Sequence, residues 1–372
     1  MSPSMSNNIR VLRSDRLAHS LIKLTTAPPP PGSSTPSLGI RISTNKLQSL
    51  WAGYGVISRV RVVFVPPCSG DLDLSKFGSL ILKQVAPPPS LCSSSLKEDV
   101  SHLRKLKSYQ VEAAFYSSEI PAELASRRAH VPMSIDRCGD VVDEGGLELL
   151  LSDLDNEGFT SRLSGSKAHV EAALTLLAKI HATYFERKLP EGLWEQACYW
   201  HLETRLSELR DMSDKRLQSA APALDRRLRQ ATRGMTLLHG DAKADNLLIG
   251  DDGGVAAYDF QYTGAGLGAR DVAYLLVSSC DARTLELEEA SLLNTYHAAL
   301  LEAGVPPTFT RDMLQDDFDI SVADYMRFMD GWGEWGNARW ARKRTNVVLD
   351  RLEKAMKTSG DWDGAIATVY SQ

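Results

Sequence analysis

The spacing of apolar residues changes once along this chain, near residue 154, and this change limits the folds available to it. Before that point, short runs rich in β-branched residues predict strands, most clearly at residues 56–65 and 79–85. After it, apolar residues recur at helical spacing over long segments, beginning with residues 167–187. The sequence therefore predicts an α+β protein with a β-rich first third and a mainly helical remainder.

Composition narrows the class of protein further. A length of 372 residues, 43% of them hydrophobic, is typical of two globular domains or one large unit of two parts. The formal net charge of −5 argues against a surface built to bind nucleic acid. No apolar run approaches the roughly 18 residues of a membrane span, and the scattered cysteines form no zinc motif. We expect a cytoplasmic protein that has no membrane span and does not bind nucleic acid, and leave its oligomeric state open.

The first 45 residues differ from the rest of the chain. They are poor in acidic residues and rich in Ser, Thr and Pro, with four consecutive prolines at residues 28–31. Such a composition favours a flexible N-terminal leader over residues 1–45. A cleaved transit peptide that directs import into an organelle is the alternative.

Polar residues gather in one strand–loop–strand segment of the helical part, residues 237–260. Asp241, Lys243 and Asn246 lie in its first loop, and Asp259 follows thirteen residues after Asn246. Phosphoryl transfer needs a carboxylate to orient the accepting hydroxyl, cations near the phosphates and oxygen ligands for Mg²⁺. The two aspartates and the asparagine supply such oxygens, and the lysine supplies a cation. This segment is therefore the predicted site of phosphoryl transfer.

The same segment resembles a known catalytic loop. The spacing from His239 to Asn246 is similar to the H-R-D-x-x-x-x-N loop of the protein-kinase-like superfamily. Gly240 within it and Gln261 after it resemble the small-molecule branch, which includes aminoglycoside phosphotransferases, choline kinases and ecdysteroid-kinase-like proteins. The run from Asp271 to Tyr274 further resembles the ecdysteroid-kinase-like group. The resemblance covers about residues 50–276.

This resemblance implies a bilobal protein-kinase-like fold and a nucleotide site. The β-rich N-lobe would span residues 46–152, and the mainly helical C-lobe residues 153–372. Lys83 would hold the α- and β-phosphates of ATP, and Glu112 would be its anionic partner. The backbone amides of a glycine-containing hairpin would contact phosphate, at positions Gly53, Tyr54 and Gly55.

The resemblance also implies roles for the polar loops. Asp241 would orient the acceptor hydroxyl toward the γ-phosphate, and Lys243 would offset charge on the migrating group. Asn246 and Asp259 would hold one or two Mg²⁺ ions. The predicted activity is the ATP- and Mg²⁺-dependent phosphorylation of a hydroxyl group on a small organic molecule.

Two other functions stay open at this stage. A protein kinase is one, although Gly240 replaces the arginine of its catalytic loop and no Phe-Gly follows Asp259. A catalytically inactive nucleotide-binding module of the same fold is the other. The presence of competent residues at all of the catalytic positions argues against such a module.

Several residues have a structural interpretation. His239 and Asp271 would brace the catalytic loop by hydrogen bonds, and Asp153 would cap the following element. Single histidines in helical patterns are expected to pack or to lie at the surface, namely His181, His201 and His297. The G-x-G-x-G run at residues 264–268 is expected to be the loop after the metal ligand, since no dinucleotide-binding unit surrounds it.

Three tryptophans lie close together late in the chain, at positions 332, 335 and 340. Their rings could wall the acceptor pocket, or they could pack the C-terminal helices. Packing of the C-terminal helices is the favoured interpretation.

Overall fold

The computed structural model describes residues 12–25, 38–65, 74–87, 96–141 and 146–370. Contacts within the chain divide it into two compact units. The first comprises Met1–Pro121 and Pro132–Thr160, and the second comprises Ala122–Val131 and Ser161–Gln372.

The first unit is built on a five-stranded antiparallel sheet. Its strands are β1 (Gly39–Ser49), β2 (Gly55–Val65), β3 (Ser79–Val85), β4 (Ser134–Cys138) and β5 (Leu147–Ser152). They lie in the order β1-β2-β3-β5-β4, so the apolar strand β3 is at the centre. Lys83 pairs with Ile57 on one side and with Leu149 on the other. Pairing with both neighbouring strands therefore fixes the backbone position of Lys83, the predicted nucleotide-binding lysine.

Two helices accompany this sheet, α1 (Ser14–Thr25) and α2 (Leu96–Ser117). The first of them, together with the beginning of β1, lies where the sequence predicts a flexible leader. Leu17 and Leu21 of α1 are fully buried in a core that includes Val60 and Leu80. The leader prediction does not hold for residues 14–25 and 39–45, because leucines spaced one helical turn apart bury against the sheet. The run of prolines at residues 28–31 lies outside the described residues.

A buried polar contact also anchors α1. The guanidinium of Arg16 lies 2.6 Å from Asp136 and 2.5 Å from Glu148, on strands β4 and β5. Glu148 in turn accepts a hydrogen bond of 2.8 Å from the amide of Gln84 on β3. The helix is therefore tied to the sheet by charge as well as by its leucines.

The second unit is mainly helical. The helices that lie wholly or mostly in it are α3 (Ile120–Ser126), α4 (Lys167–Thr183), α5 (Leu206–Asp211), α6 (Lys215–Arg229), α7 (Ala269–Ser279), α8 (Ala282–Glu302), α9 (Arg311–Trp332), α10 (Ala338–Ser359) and α11 (Trp362–Val369). Between residues 193 and 210, only α5 forms as an α-helix. A positive φ of 79° at Cys198 is incompatible with a continuous helix through that segment.

Two small sheets hold the polar loops of this unit. The strands of these two sheets are β6 (Ser161–Arg162), β7 (Met235–Leu238), β8 (Leu247–Ile249), β9 (Val255–Ala257) and β10 (Gly264–Leu267). Strand β7 pairs with β10, and β8 lies between β6 and β9. Both loops that carry the predicted catalytic residues begin or end at these strands.

The glycine-rich run predicted as a loop is in fact strand β10. A Cβ on Gly264 would lie 2.0 Å from the carbonyl oxygen of Trp194, and one on Gly266 would lie 2.5 Å from Cδ1 of Leu238. The glycines therefore permit close packing of the strand and do not mark an irregular loop. Among the described residues, no helix is both long and apolar enough to cross a membrane.

Candidate active site

Asp241 lies in the loop after β7, where Asn246 holds one of its two carboxylate oxygens. The side-chain amide of Asn246 donates to Oδ2 of Asp241 at 2.8 Å and to its backbone carbonyl at 2.9 Å. The other oxygen, Oδ1, is buried and has no hydrogen-bond partner among the residues that the structure describes. The carboxylate is thus held in one orientation by Asn246, while a hydrogen-bonding interaction with the Tyr274 side chain acts to lower its pKa.

Nearby charges act on Asp241. Burial raises the pKa of its carboxyl group, and the negative charge of Asp259 raises it further, while Lys243 acts in the opposite direction. Nζ of Lys243 lies 3.6 Å from Oδ2 of Asp241. Asp241, Lys243 and Asp259 are therefore close enough to act on one another electrostatically.

Strand pairing brings Asp259 toward Asn246. Leu247 of β8 pairs with Ala257 of β9, and the amide of Tyr258 donates to the carbonyl of Asn246 at 3.1 Å. Asp259 has a φ of 68°, which is uncommon for a residue other than glycine. Such conformations cluster at functional sites, where the surrounding structure stabilises them.

The residues at these two loops fit Mg²⁺ by type. Mg²⁺ is usually bound through one or two carboxylates together with substrate phosphates and waters. Asp259 supplies a carboxylate, and Asn246 supplies an amide oxygen, since its nitrogen is the atom bonded to Asp241. Nowhere in the described ranges do three or more His, Cys, Asp or Glu side chains form a metal-binding group.

Asp271 and His239 brace the catalytic loop, as the sequence predicts. The backbone amides of His239 and Gly240 donate to the two oxygens of Asp271, at 2.7 and 2.9 Å. Nδ1 of His239 accepts from the amide of Asp241 at 3.2 Å. Gly240 has a φ of 81°, and a Cβ on it would lie 1.9 Å from the carbonyl oxygen of Tyr262. The backbone conformation and the close approach thus explain the glycine in this loop.

His181 belongs to the same brace, although the sequence indicates only a packing or surface residue. Its Nε2 lies 3.2 Å from Oδ2 of Asp271, and its Nδ1 lies 2.7 Å from the hydroxyl of Tyr296. Burial acts to raise the pKa of Asp271, but the hydrogen bond and charge of His181 outweigh it and leave the pKa below its ordinary value. No local pattern reveals this role, because the partners come from helices α7 and α8.

Lys83 and Glu112 form an ion pair in the first unit. Nζ of Lys83 lies 2.9 Å from Oε1 and 2.6 Å from Oε2 of Glu112, and both side chains are buried. The same ammonium lies 5.6 Å from the ring centre of Tyr109. The pairing of these two residues, 29 positions apart, is thus present, whereas their role toward nucleotide stays a prediction.

The predicted phosphate-contacting hairpin is a tight turn between β1 and β2. The amides of Gly53 and Tyr54 donate to carbonyls of the turn itself, each at 3.3 Å. The Tyr54 side chain is buried, with its hydroxyl 2.5 Å from Nδ1 of His102. A Cβ on Gly55 would lie 1.9 Å from the carbonyl oxygen of Gln84. Phosphate could bind the amides of Gly53 and Tyr54 only if these amides gave up their hydrogen bonds within the turn.

The remaining sequence expectations concern structural residues. Asp153 caps the short helix that follows it, accepting from the amide of Asp155 at 3.2 Å. His201 packs against Trp194, with ring centres 5.6 Å apart, and Nε2 of His297 lies 2.7 Å from the carbonyl oxygen of Phe309. The cap and the two packing histidines are as predicted.

The three late tryptophans separate into two places. Trp332 and Trp335 both lie against Phe328, each with ring centres 5.9 Å apart from it. Trp340 instead packs on Phe318, at 6.4 Å. Only the first two tryptophans are therefore neighbours.

Comparison with known proteins gives both a family match and structural likenesses. A microcompartment-associated aminopropanol kinase is 14% identical, with 87% of this chain and 94% of that chain covered and a TM-score of 0.47. A choline kinase from Streptococcus pneumoniae is 12% identical, with 83% and 93% covered and a TM-score of 0.45. A macrolide 2'-phosphotransferase from Brachybacterium faecium is 14% identical, with 82% and 92% covered and a TM-score of 0.42.

No curated protein matches the chain. The model of the phosphotransferase enzyme family, however, matches residues 103–308, which include the catalytic loop, Asp259 and Asp271. Since this match extends over more than half of the sequence, the chain belongs to the phosphotransferase enzyme family, as the resemblance of its catalytic loop predicts.

Proposed function

We propose that this phosphotransferase uses ATP and Mg²⁺ to phosphorylate a hydroxyl group of a small organic molecule. Asp241 orients the acceptor, Lys243 acts on the transferred group, and Asn246 and Asp259 bind the metal. The identity of the donor, the metal and these residue roles are parts of one proposal.

The observation that carries the proposal is the asymmetry of the Asp241 carboxylate. Oδ2 accepts from Asn246, whereas Oδ1 is buried without a hydrogen-bond partner among the described residues. A buried carboxylate oxygen without a donor is unfavourable, by about 1–3 kcal/mol. An acceptor hydroxyl that donates to Oδ1 relieves this cost and is held at the same time in one orientation.

Orientation is sufficient for this chemistry. The transition state of phosphoryl transfer is loose, so the attacking hydroxyl needs little deprotonation before it reacts. A carboxylate that accepts one hydrogen bond can therefore act without being a strong base. Lys243, with its ammonium 3.6 Å from Oδ2, can balance negative charge as the phosphoryl group moves.

The donor and metal assignments rest on residue chemistry. Lys83, buried and paired with Glu112, is a cation of fixed position, which suits it to bind the α- and β-phosphates. Asn246 and Asp259 would hold Mg²⁺ by their side-chain oxygens. When bound, Mg²⁺ neutralises charge on the phosphate oxygens.

An ATP-consumption screen tests the proposal. The full chain is incubated with ATP and Mg²⁺ against sugars, amino alcohols, sterols and hydroxylated antibiotics, and products are identified by phosphorus NMR and mass spectrometry. We expect a phosphate monoester of at least one compound, formed in Mg²⁺ and absent in excess EDTA. Asp245→Asn is the matched control for Asp241→Asn, because Asp245 lies in the same loop but is exposed and paired with Arg162.

Three results would contradict the proposal. The first is turnover that is the same in the Asp241→Asn variant as in the wild type. The second is phosphorylation of generic protein substrates with no phosphorylation of any small alcohol. The third is ATP binding with no turnover on any compound of the screen.

A further inference from the structure

A group of aromatic side chains lies beside the catalytic loop. We call it the aromatic wall, and it consists of Tyr199, Tyr274, Tyr325, Phe328, Trp332 and Trp335. The backbone amide of Tyr199 donates to the carbonyl of Gly240, the residue before Asp241, at 3.4 Å. Its ring centre lies 5.6 Å from that of Tyr274 and 5.3 Å from that of Phe328. The wall thus begins at the catalytic loop and continues along helix α9.

The far part of the wall is accessible. Trp332 stacks on Phe328 and is 57% exposed, and Trp335 is half-buried against Tyr325 at 5.7 Å. The tyrosine hydroxyl groups of the wall also respond to the nearby carboxylate of Asp241. After burial, the charge of Asp241 is a cause that raises the pKa of both Tyr199 and Tyr274. The wall therefore connects Asp241 to an exposed aromatic surface.

A cation of the protein itself already occupies the faces of this wall. The guanidinium carbon of Arg205 lies 4.8 Å from the ring centre of Phe328, 5.2 Å from that of Trp332 and 5.6 Å from that of Tyr199. These distances are within the range of cation–π attraction. The Arg205 side chain is buried, and its Nε donates to the carbonyl of Tyr199 at 2.9 Å. Arg205 is thus a permanent part of the wall.

Glu208 neutralises this cation. Its Oε1 accepts from Arg205 at 3.0 Å, and its Oε2 accepts from the hydroxyl of Ser207 at 2.6 Å. Burial acts to raise the pKa of Glu208, but the hydrogen bond from Ser207 and the charge of Arg205 leave it below its ordinary value. Glu208 therefore compensates the charge of Arg205, and the pair offers no net charge to attract a charged ligand.

From this arrangement we infer that the acceptor is an uncharged alcohol with an apolar ring, whose flat face packs on Trp332 and Trp335. A quaternary ammonium or polyamine alcohol binds less well, because Arg205 already occupies the faces of Phe328 and Trp332 that would attract its charge. The inference rests on the proposed function, since it takes Asp241 as the group that receives the acceptor hydroxyl.

Two alcohols of the same shape test the inference. They are para-tert-butylbenzyl alcohol and para-(trimethylammonio)benzyl alcohol, which differ only in that a carbon is replaced by a positively charged nitrogen. Their affinities for the full chain are measured by tryptophan fluorescence and by saturation-transfer NMR, without ATP. We expect the neutral alcohol to bind the wild type about tenfold more tightly than the cation.

Variants then test whether the preference for the neutral alcohol arises from the wall. In Arg205→Met/Glu208→Gln, which removes both charges and nearly preserves volume, the cation should gain about tenfold in affinity, because the ring faces become available. Arg216→Met/Glu353→Gln, which removes an ion pair between helices α6 and α10, is the control and should leave the preference unchanged. Trp332→Ala removes the exposed end of the wall together with its contacts to Phe328 and Arg205; with folding checked by thermal denaturation, it should weaken binding of the neutral alcohol.

The inference is overturned if the cation binds the wild type as well as the neutral alcohol does. It is also overturned if neither alcohol binds at millimolar concentration, or if the Arg205/Glu208 variant folds and keeps the wild-type preference. ATP consumption separates the two proposals. Neutral-alcohol binding without phosphorylation of any alcohol counts against the proposed function, whereas phosphorylation that depends on Asp241 but favours cationic alcohols counts against this inference alone.

Discussion

Nε2 of His181 lies 3.2 Å from Oδ2 of Asp271, the carboxylate that also accepts the backbone amides of His239 and Gly240. One buried carboxylate therefore connects helix α4, helix α7 and the loop that carries Asp241. The position of Asp241 depends on residues that are thirty or more positions away in the sequence. The hydrogen bonds that position Asp241 thus come in part from residues outside its own loop.

Replacing Asp271 by Asn should destabilise the protein. An asparagine side chain has one acceptor oxygen where two backbone amides and a histidine now donate, and its NH₂ group would face one of those donors. We expect a loss of about 3 kcal/mol in the free energy of unfolding, measured by urea denaturation. Asp251→Asn, in an exposed turn, should change the same quantity by less than about 0.5 kcal/mol.

The effect of Asp271 on stability should depend on pH in one direction. Because its pKa is lowered in the folded state, its contribution is fully present above the unfolded value of about 4. The contribution is lost as the pH falls through the lower, folded value. The difference in the free energy of unfolding between wild type and Asp271→Asn should therefore not narrow between neutral pH and about pH 5, and should narrow only in stronger acid. A difference that narrows between pH 8 and 6 would contradict this role.

Replacing Asp241 by Asn should abolish most of the activity without loss of stability. The carboxylate is buried and its pKa is raised, so a neutral amide of the same shape removes an unfavourable buried charge. We expect kcat with the acceptor found in the screen to fall by a factor of about 10³, with an unchanged or higher Tm. Asp259→Ala should lower kcat by a similar factor. Turnover within about threefold of the wild type would remove either residue from its assigned role.

The charge of Lys243 should determine the acidic limb of the pH–rate profile. Lys243 lowers the pKa of Asp241 against burial and Asp259, so Lys243→Gln should raise that pKa. The carboxylate is then protonated at a higher pH, and the acidic limb of kcat/KM moves upward. Lys243→Arg keeps the charge and should leave the limb in place. A limb that moves downward, or moves equally in both variants, would contradict the assignment.

Lys83 should affect both ATP kinetics and stability, and a double variant separates the two. Lys83→Met leaves the buried Glu112 carboxylate without its cation, which should cost about 3–5 kcal/mol. Lys83→Met/Glu112→Gln removes that buried charge and should recover most of the stability. If Lys83 binds phosphate, the KM for ATP stays raised in the double variant. Recovery of the KM together with stability would show that the pair is only structural.

Helix α1 should contribute to the stability of the first unit. Leu21 is fully buried, whereas Leu24, one turn further, is 45% exposed. We expect Leu21→Ala to lower the free energy of unfolding by about 2–5 kcal/mol and Leu24→Ala to lower it by less than about 1 kcal/mol. Equal effects in thermal or urea denaturation would indicate that the helix does not pack as described.

Local sequence signals predict most of the elements that carry the site. The short apolar run that contains Lys83 becomes a central strand, and the segment from His239 to Asn246 becomes a loop between two strands. Strand pairing then brings Asp259 near Asn246, as the resemblance implies. These features depend on hydrophobic periodicity and on fixed spacing, which can be recognised without knowledge of the fold.

The sequence alone determined the reaction class, because the residues of phosphoryl transfer lie within two short segments whose types and spacing are themselves characteristic. Only the tertiary structure decided how those residues are held and which aromatic rings gather beside Asp241. His181 binds Asp271, and Arg205 occupies the faces of Phe328 and Trp332, through contacts between helices distant in the chain. Such contacts depend on how helices pack, and packing leaves no periodic pattern around a single histidine or arginine.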